Sequence, residues 1–395
     1  MRRQFFKGRR PGRAGAPKRR GARPARGSKI DPSLFIKKAT PQLEQEEYVP
    51  TFEYGEIPVH PQLKANLLKK GYKLPTPIQD QAIPHILEGK DILGIANTGT
   101  GKTAAFLVPL LHRAISDPKM KVLILAPTRE LAVQIQEEFN ALAKELRIWS
   151  ILVVGGLSMH RQIAGLRGNT RFLIATPGRL NDLKDRKAVN LATYTHLVLD
   201  EADRMVDMGF INDIRKILSG LPEQRHSLFF SATLPNEVKS LIHSFLKDPV
   251  TVSVKKQDTS ANVDQDVIRV RFGESKMDIL VDLLKKDPSL SKVLIFGRTK
   301  RGVDRIAMAL EARDFSVVSI HGDKVQNKRQ KALDLFKQNK AQILVATDVA
   351  ARGLDIPNVS HVINFDVPQS YEDYVHRIGR TGRADKQGKA LTFLE

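Results

Sequence analysis

Short apolar runs alternate with longer amphipathic segments from about Tyr54 to the end of the chain, and this rhythm constrains the fold more than any other feature. The apolar runs have the length of strands and are flanked by Gly, Pro, Ser or Thr, which is typical of buried parallel strands. The segments between them, such as 130–147 and 236–246, have helical spacing and length. The alternation therefore predicts an open, mostly parallel sheet with helices on both faces.

The predicted strands fall into two groups. The first group lies at 91–97, 121–127, 151–156, 172–177, 196–200 and 227–233. The second lies at 292–297, 316–322, 341–348, 360–366 and 389–394. Because a polar stretch separates the groups, we predict one α/β domain at 46–255, a linker at 256–266 and a second α/β domain at 267–395. The chain ends at its last predicted strand, which leaves open whether the second domain is complete.

The positive charge is concentrated at the N-terminus. The chain carries 64 Lys and Arg against 43 Asp and Glu, a formal net charge of +21, and the twelve basic residues of 1–29 supply +12 of it without a single acid. This segment has too few apolar side chains to offset its ordering entropy, so residues 1–45 are predicted to be a disordered basic arm. Such an arm binds nucleic-acid phosphates non-specifically, and the alternative is a solubilising or targeting extension.

The absence of cysteine narrows the chemistry. A chain with no Cys has no disulfide framework, no thiolate zinc site, no iron–sulfur cluster and no cysteine nucleophile. This composition favours a reducing, cytoplasmic setting. A mitochondrial transit peptide is rich in Ser, and Ser28 is the one serine of the basic segment. No apolar run approaches the roughly 20 residues that span a bilayer, so we expect no membrane association.

The strongest chemical signal is the sequence ANTGTGKT at 96–103, which follows a predicted strand and precedes an apolar helix. Glycines let such a loop turn its N–H groups toward phosphate oxygens, and the helix N-terminus adds partial positive charge. Lys102 is placed to reach the β- and γ-phosphates, and the Thr103 hydroxyl to bind Mg²⁺. Because Ala96 replaces the first glycine of the usual pattern, a simple glycine-rich turn stays open on this segment alone.

A pair of acids supports the phosphate-loop interpretation. Asp200 and Glu201 end the predicted strand at 196–200. An acid at this position can hold Mg²⁺ through water, and the acid beside it can take a proton from the attacking water. Taken alone, the two acids are equally consistent with capping of the next helix. In combination with the loop at 96–103, they predict a nucleotide-hydrolysing site.

The letters Asp200-Glu201-Ala202-Asp203 name the DEAD-box ATP-dependent RNA helicases, and the chain resembles this family from about Phe52 to its end. About a dozen of the family's motifs follow one another in order. The resemblance implies two tandem RecA-like domains that close together on ATP, Mg²⁺ and single-stranded RNA. The residue roles below are those that the resemblance implies.

For the nucleotide, the resemblance implies an adenine-reading segment at 71–79, with Gln79 bonded to the base and Phe52 stacked on it. Lys102, Glu201, Arg380 and Arg383 take catalytic roles, the two arginines as fingers from the second domain. Asp200 and Thr103 hold the metal. The remaining residues expected to bind ATP are Thr98, Gly99, Thr100, Gly101 and, at the ribose, Asp355.

For RNA, the resemblance implies contacts from both domains through motifs at the ends of strands, where open α/β sheets bind ligands. The first domain supplies Pro127, Thr128, Arg129, Gly155, Gly156, Thr176, Pro177, Gly178 and Arg179. The second supplies Arg298, Thr299, Gln326, Arg329 and Thr347. Hydrolysis is coupled to strand separation through Asp203, Ser231 and Thr233, with support from His376 and Arg377.

Three classes of function remain in view. The favoured one is an RNA-stimulated ATPase that holds RNA by its backbone and locally unwinds short duplexes or remodels RNA–protein complexes, acting as a monomer. The second is an ATP-gated RNA clamp or assembly platform that separates strands little, which the sequence does not distinguish from the first. The third is another phosphate-loop enzyme, such as a kinase or a DNA translocase. It is disfavoured because the second domain repeats the α/β pattern without a phosphate loop and contributes arginines instead.

Overall fold

The computed structural model describes residues 31–39, 48–97, 99–168, 170–254, 262–351, 356, 358–382 and 387–395. The basic segment 1–29, Thr98, Asp355 and Arg383 lie outside these residues, as does the linker up to residue 261. The described chain forms two α/β domains, as the alternation of strands and helices predicts.

The first domain is built on a seven-stranded sheet whose described pairings are all parallel, in the order β3-β4-β2-β5-β6-β1-β7. Its strands are β1 (Ile92–Ile95), β2 (Val122–Leu125), β3 (Ser150–Val153), β4 (Phe172–Ala175), β5 (His196–Leu199), β6 (His226–Ser231) and β7 (Val250–Ser253). Its helices are α1 (Pro61–Lys69), α2 (Pro77–Leu87), α3 (Lys102–Ser116), α4 (Arg129–Leu142), α5 (Met159–Leu166), α6 (Pro177–Asp185), α7 (Ala202–Asp207), α8 (Ile211–Leu218) and α9 (Asn236–Phe245).

Two hydrophobic cores cover the two faces of this sheet. Successive side chains of a strand point to opposite faces. On β2, Val122 and Ile124 join one core, and Leu123 and Leu125 join the other. A strand that is apolar at every position is therefore buried on both sides, which explains why these strands read as continuous apolar runs.

The second domain is built on a six-stranded sheet, also parallel in its described pairings, in the order β10-β11-β9-β12-β13-β8. Its strands are β8 (Val263–Arg269), β9 (Val293–Phe296), β10 (Val317–Ile320), β11 (Ile343–Ala346), β12 (His361–Asn364) and β13 (Gly388–Leu394). Its helices are α10 (Lys276–Lys286), α11 (Lys300–Glu311), α12 (Gln326–Lys337), α13 (Asp348–Ala351) and α14 (Tyr371–Ile378).

Two strands were missed by the sequence prediction, and both lie at the edge of a sheet. Strand β7 contains two exposed residues, and β8 begins at Val263, inside the range 256–266 that was assigned to the linker. In β8 the buried Val263 and Gln265 alternate with the acids Asp264 and Asp266. An edge strand carries more polar side chains than a central one, so this stretch resembles a linker in the sequence. The end of the linker therefore moves back to before residue 263.

The predicted arm 1–45 was too long at its C-terminal end. Residues 31–39 contain a 3-10 helix at Pro32–Phe35, and Phe35 is buried against the second domain. The reason is composition, because Leu34, Phe35 and Ile36 supply the apolar side chains that 1–29 lacks. Among the described residues, no helix is both long enough and apolar enough to cross a membrane.

Gly94 on β1 lies directly against a side chain of the neighbouring strand and provides a test of the packing. It pairs with Phe230 on β6, and a Cβ at this position would lie 2.5 Å from the buried Phe230 ring. Since the ring has no room to move, we expect Gly94→Ala to lower the free energy of unfolding by about 1–3 kcal/mol. Urea denaturation followed by circular dichroism measures this change.

Gly55 provides the matched control, because a Cβ added there meets no atom within 4 Å and its φ is not positive. Gly55→Ala should change the unfolding free energy by less than about 1 kcal/mol. Equal stability of the Gly94→Ala variant and the parent would contradict the packing described here.

Candidate nucleotide site and RNA groove

The phosphate loop joins β1 to α3 at the carboxyl edge of the first sheet. Gly99 and Gly101 have φ angles of 87° and 91°, which side chains other than glycine rarely adopt, and α3 begins at the next residue, Lys102. The buried Lys102 donates from Nζ to the carbonyl oxygen of Ala96 at 2.9 Å, across the loop. The loop therefore presents a lysine ammonium and a helix N-terminus on one side, an arrangement suited to phosphate.

Asp200 and Glu201 lie at the end of β5, two strands from β1 in the sheet. Both side chains are buried. Burial raises the pKa of the Asp200 carboxyl to about 6, while the nearby Lys102 ammonium acts in the opposite direction. Glu201 has a φ of 54° and forms an ion pair with Arg204 Nη1 through its Oε2 at 2.7 Å. The ion pair fixes the orientation of the Glu201 carboxylate.

One cavity of about 380 Å³ contains both the loop and the acids. It is lined by residues predicted to bind nucleotide or metal, namely Gly99, Gly101, Lys102, Thr103, Asp200 and Glu201. Among the described residues, no group donates a hydrogen bond to Asp200 Oδ1, although this oxygen is buried. A buried carboxylate oxygen without a partner, beside a threonine hydroxyl, suits a hard cation such as Mg²⁺. The residues present therefore fit a magnesium ion.

Gln79 connects the predicted adenine segment to the phosphate loop. Its Nε2 donates to the Gly101 carbonyl oxygen at 3.0 Å, and its Oε1 accepts from the Thr76 backbone N–H at 2.9 Å. The Thr76 hydroxyl donates to the Thr100 carbonyl oxygen at 2.8 Å. Both ends of the Gln79 amide are thus bonded within the protein, and its contact with adenine stays a prediction.

Aromatic side chains surround this segment. Phe52 is half-buried and packs edge-on against Tyr54, with ring centroids 5.9 Å apart. Tyr72, which the sequence reasoning missed, lines the nucleotide cavity and donates from its hydroxyl to Glu138 Oε1 at 2.9 Å. The sequence signal for Tyr72 was its position inside the predicted adenine-reading segment 71–79.

Asp203 is the centre of the coupling residues. Its Oδ2 accepts from the backbone N–H groups of Ala232 and Thr233 at 3.1 and 2.8 Å, and from the Thr233 hydroxyl at 2.9 Å. The Ser231 hydroxyl accepts from the Asp203 N–H at 3.2 Å and donates to the Thr233 carbonyl oxygen at 2.7 Å. The end of β6 is therefore tied to the start of α7, immediately after the acid pair.

A groove of about 460 Å³ runs along the carboxyl ends of β2, β3 and β4 and is lined by both domains. Its second-domain residues include Gly322, Arg329 and Val349. Most of the predicted RNA-binding residues of the first domain line it, namely Pro127, Thr128, Arg129, Gly155, Gly156, Thr176, Gly178 and Arg179. Arg298 and Thr347 line a different cavity of about 470 Å³, while Pro177, Thr299 and Gln326 line neither.

The two glycines of the groove make room for Arg129. A Cβ at Gly155 or Gly156 would lie 2.7 or 2.5 Å from the Arg129 guanidinium. Burial lowers the pKa of Arg129, and Arg329 acts in the same direction. The Arg129 guanidinium therefore packs against the backbone of Gly155 and Gly156 in the groove.

Gln326 and Arg329 were predicted to bind RNA, and the structure places both against Glu130 of the first domain. Gln326 Nε2 donates to Glu130 Oε1 at 3.1 Å, and Arg329 Nη2 forms an ion pair with Glu130 Oε2 at 2.8 Å. All three side chains are buried. The sequence reasoning missed Glu130, although it directly follows Arg129 in a quoted motif. RNA contacts of Gln326 and Arg329 stay a prediction.

The second-domain arginines have different surroundings. Arg377 forms an ion pair with Asp348 through two bonds of 2.6 and 2.8 Å, and donates to Asn364 Oδ1 at 3.1 Å. Arg380 is buried and lines a small cavity with Asp348, His376 and Arg377. Arg380 does not line the nucleotide cavity. Among the described residues, the second domain contributes Lys337 to that cavity. The structure therefore does not bring Arg380 to the phosphate loop.

Comparisons with known proteins identify the family of this chain. The DEAD/DEAH box helicase model matches residues 76–241, and the helicase conserved C-terminal domain model matches residues 275–385. The chain is 47% identical over 345 residues to the ATP-dependent RNA helicase CshA of Limosilactobacillus reuteri, covering 87% of this chain and 69% of that protein.

Solved structures show the same two-domain fold. S. cerevisiae Dbp5 bound to RNA and ADP BeF3 matches with a TM-score of 0.76 and 29% identity, over 87% of this chain and 89% of that chain. A DEAD box protein from Methanococcus jannaschii matches with a TM-score of 0.51 and 37% identity, over 88% and 94%. By its sequence, its fold and its sites, this chain belongs to the DEAD-box family of ATP-dependent RNA helicases, and it is an RNA-stimulated ATPase.

Proposed function

We propose that this helicase holds single-stranded RNA by its sugar–phosphate backbone in the groove between the domains, and hydrolyses ATP with Mg²⁺ only when the domains close. The observation that supports this most is the contact of Glu130 with Gln326 and Arg329, which joins the two domains at the groove itself. Hydrolysis and RNA binding then depend on the same closed arrangement.

In the nucleotide cavity, we assign phosphate binding to the loop N–H groups and to Lys102, and metal binding to Thr103 and Asp200. Mg²⁺, when bound, neutralises charge on the phosphoryl oxygens. Glu201 takes the proton of the attacking water, and its ion pair with Arg204 orients the carboxylate for this role. Arg204 itself is buried and does not line the cavity, so it acts as a positioning residue.

Arg380 and Arg383 are proposed to stabilise the transferring phosphoryl group from the second domain. This role requires Arg380 to leave the small cavity that it lines with His376 and Arg377. Binding of ATP provides the driving force, because the negatively charged triphosphate attracts the guanidinium. An enzyme with this arrangement hydrolyses ATP slowly until RNA and ATP together close the domains.

The groove favours binding that does not depend on base sequence. Its described lining is dominated by glycine, threonine and arginine, groups that bond to phosphate and sugar rather than to base edges. Stacking platforms are few, since aromatic residues make up 6% of the chain.

Such an enzyme unwinds short duplexes locally. The alternative is a clamp that separates strands little, and a duplex-displacement assay distinguishes the two. A monomeric state and a cytoplasmic location stay predictions from the sequence.

Replacing Glu201 tests the assignment of the base. Glu201→Gln should lower kcat for ATP by about 10²–10⁴-fold, because the amide accepts no proton. ATP and RNA affinity should be retained, since the side chain keeps its shape. Single-turnover hydrolysis and equilibrium binding of a fluorescent ATP analogue measure the two quantities.

Glu137→Gln is the control for this experiment, because Glu137 lines the same cavity from α4 without a proposed role. It should leave kcat close to that of the parent. A Glu201→Gln variant with near-normal turnover, or one that no longer binds ATP, would remove Glu201 from the role of base.

A double-mutant cycle on Glu130 and Arg329 tests the link between closure and RNA binding. Each of Glu130→Gln and Arg329→Gln should weaken RNA affinity in the presence of a non-hydrolysable ATP analogue, by about tenfold. The double variant should be little weaker than either single one, which corresponds to a coupling energy of about 1.4 kcal/mol. Fluorescence anisotropy with labelled single-stranded RNA provides the affinities.

Lys328→Gln removes one positive charge from the same turn of α12 but changes an exposed side chain, and so controls for net charge. Its effect should be clearly smaller than that of Arg329→Gln. Fully additive effects of Glu130→Gln and Arg329→Gln would show that the ion pair does not contribute to closure.

A further inference from the structure

The segment 31–39 precedes the first domain in sequence but packs on the second. Its 3-10 helix, Pro32–Phe35, is capped by Asp31, whose Oδ1 accepts from the Ser33 N–H at 2.9 Å. Immediately beyond the helix, Lys37 pairs with Gln265 on β8, the strand at the edge of the second sheet. The segment is therefore an ordered element of the second domain.

Phe35 anchors this segment. Its side chain is 0% exposed, whereas its neighbours Leu34 and Ile36 are 46% and 51% exposed. The Phe35 ring packs on the ring of Tyr374, with centroids 4.6 Å apart. The same cluster contains Val263, Tyr374, Ile378 and Ala390, which come from β8, α14 and β13. Phe35 thus fills the space between the edge of the sheet and α14.

Backbone pairing holds the segment in register. The Lys37 N–H donates to the Gln265 carbonyl oxygen at 3.1 Å, and the Gln265 N–H donates to the Lys37 carbonyl oxygen at 2.8 Å. The Gln265 side chain is buried, and its Oε1 accepts from the Tyr374 hydroxyl at 3.0 Å. Gln265 therefore contacts the segment through its backbone and α14 through its side chain.

A chain of buried polar groups leads from Tyr374 to Arg377. The Tyr374 hydroxyl lies near the Thr392 side chain, and Thr392 Oγ1 accepts from Asn364 Nδ2 at 3.0 Å. Asn364 Oδ1 in turn accepts from Arg377 Nη1 at 3.1 Å. A buried polar network of this kind tolerates little displacement of any member.

One side of α14 carries both sets of contacts. Tyr374 lies three residues before Arg377 and four before Ile378, so the three side chains share that side of the helix. Tyr374 and Ile378 pack on Phe35, and Arg377 forms its ion pair with Asp348. Arg380 follows two residues after the helix ends, so its position depends on the position of α14.

We propose that Phe35 is a positioning residue for ATP hydrolysis, acting through Tyr374 and α14 on Arg377 and Arg380. The inference depends on the proposed role of Arg380 in hydrolysis. Without the Phe35 ring, the side of α14 that carries Tyr374 and Arg377 loses a packing partner, and the helix shifts toward the space left behind. A displacement of about 1 Å in a catalytic group is enough to lower turnover by up to about 100-fold.

The test compares full-length variants at a temperature at which circular dichroism shows each of them folded. Phe35→Ala should lower kcat of RNA-stimulated ATP hydrolysis about tenfold or more. KM for ATP should change by less than about twofold, because the phosphate loop belongs to the other domain. Phe35→Leu should restore most of the lost kcat, since leucine fills much of the same space. Leu34→Ala and Ile36→Ala, on either side of Phe35, should match the parent.

Unchanged kcat in the folded Phe35→Ala variant, with only a lower melting temperature, overturns the proposal. If Phe35→Ala does not fold, Phe35→Leu decides: a kcat below that of Leu34→Ala supports the proposal, and a kcat equal to it overturns the proposal. Arg380→Ala, measured in parallel, distinguishes failure of the proposed role of Arg380 from failure of the positioning role of Phe35. Normal turnover in Arg380→Ala refutes the role of Arg380, whereas lost turnover together with a normal Phe35→Ala variant refutes the positioning role of Phe35 alone.

Discussion

The buried ion pair between Glu130 and Arg329 joins the two domains, and the function proposed for this helicase depends on it. Neither domain contains both partners, and the pair lies at the groove that we assign to RNA. Both charges are removed from water, so their attraction is screened less than at a surface, and Gln326 adds a hydrogen bond to the second carboxylate oxygen. Because its partners belong to different domains, we infer that the pair contributes to closure rather than to the stability of either domain.

Closure matters because the chemical groups are divided between the domains. The phosphate loop, Asp200 and Glu201 belong to the first domain, and Asp203 ties them to the end of β6. The second domain is proposed to contribute Arg380, which in this structure lines a small cavity with Asp348, His376 and Arg377. In this account, the rate of ATP hydrolysis depends on domain closure, and domain closure depends on bound RNA.

The sequence predicted the parts of this structure that depend on local pattern. Buried strands and the loop at 96–103 have apolar or glycine signatures that are typical of this fold. It did not predict contacts between residues far apart in the chain. Glu130 gives no sign in the sequence of its partner Arg329, and Phe35 gives none of its position on Tyr374. Strand β8 was assigned to the linker because an edge strand carries polar side chains at alternate positions.

Distance measurements in solution test the central claim that RNA and ATP together close the two domains. The chain contains no cysteine, so cysteines introduced at the exposed Lys119 and Met308 take fluorophores on the first and second domains alone. Energy transfer should shift to one high-efficiency state only when single-stranded RNA and a non-hydrolysable ATP analogue are both present, and the shift should be smaller with Glu130→Gln. The same efficiency with either ligand alone as with both, or no effect of Glu130→Gln, would contradict this account.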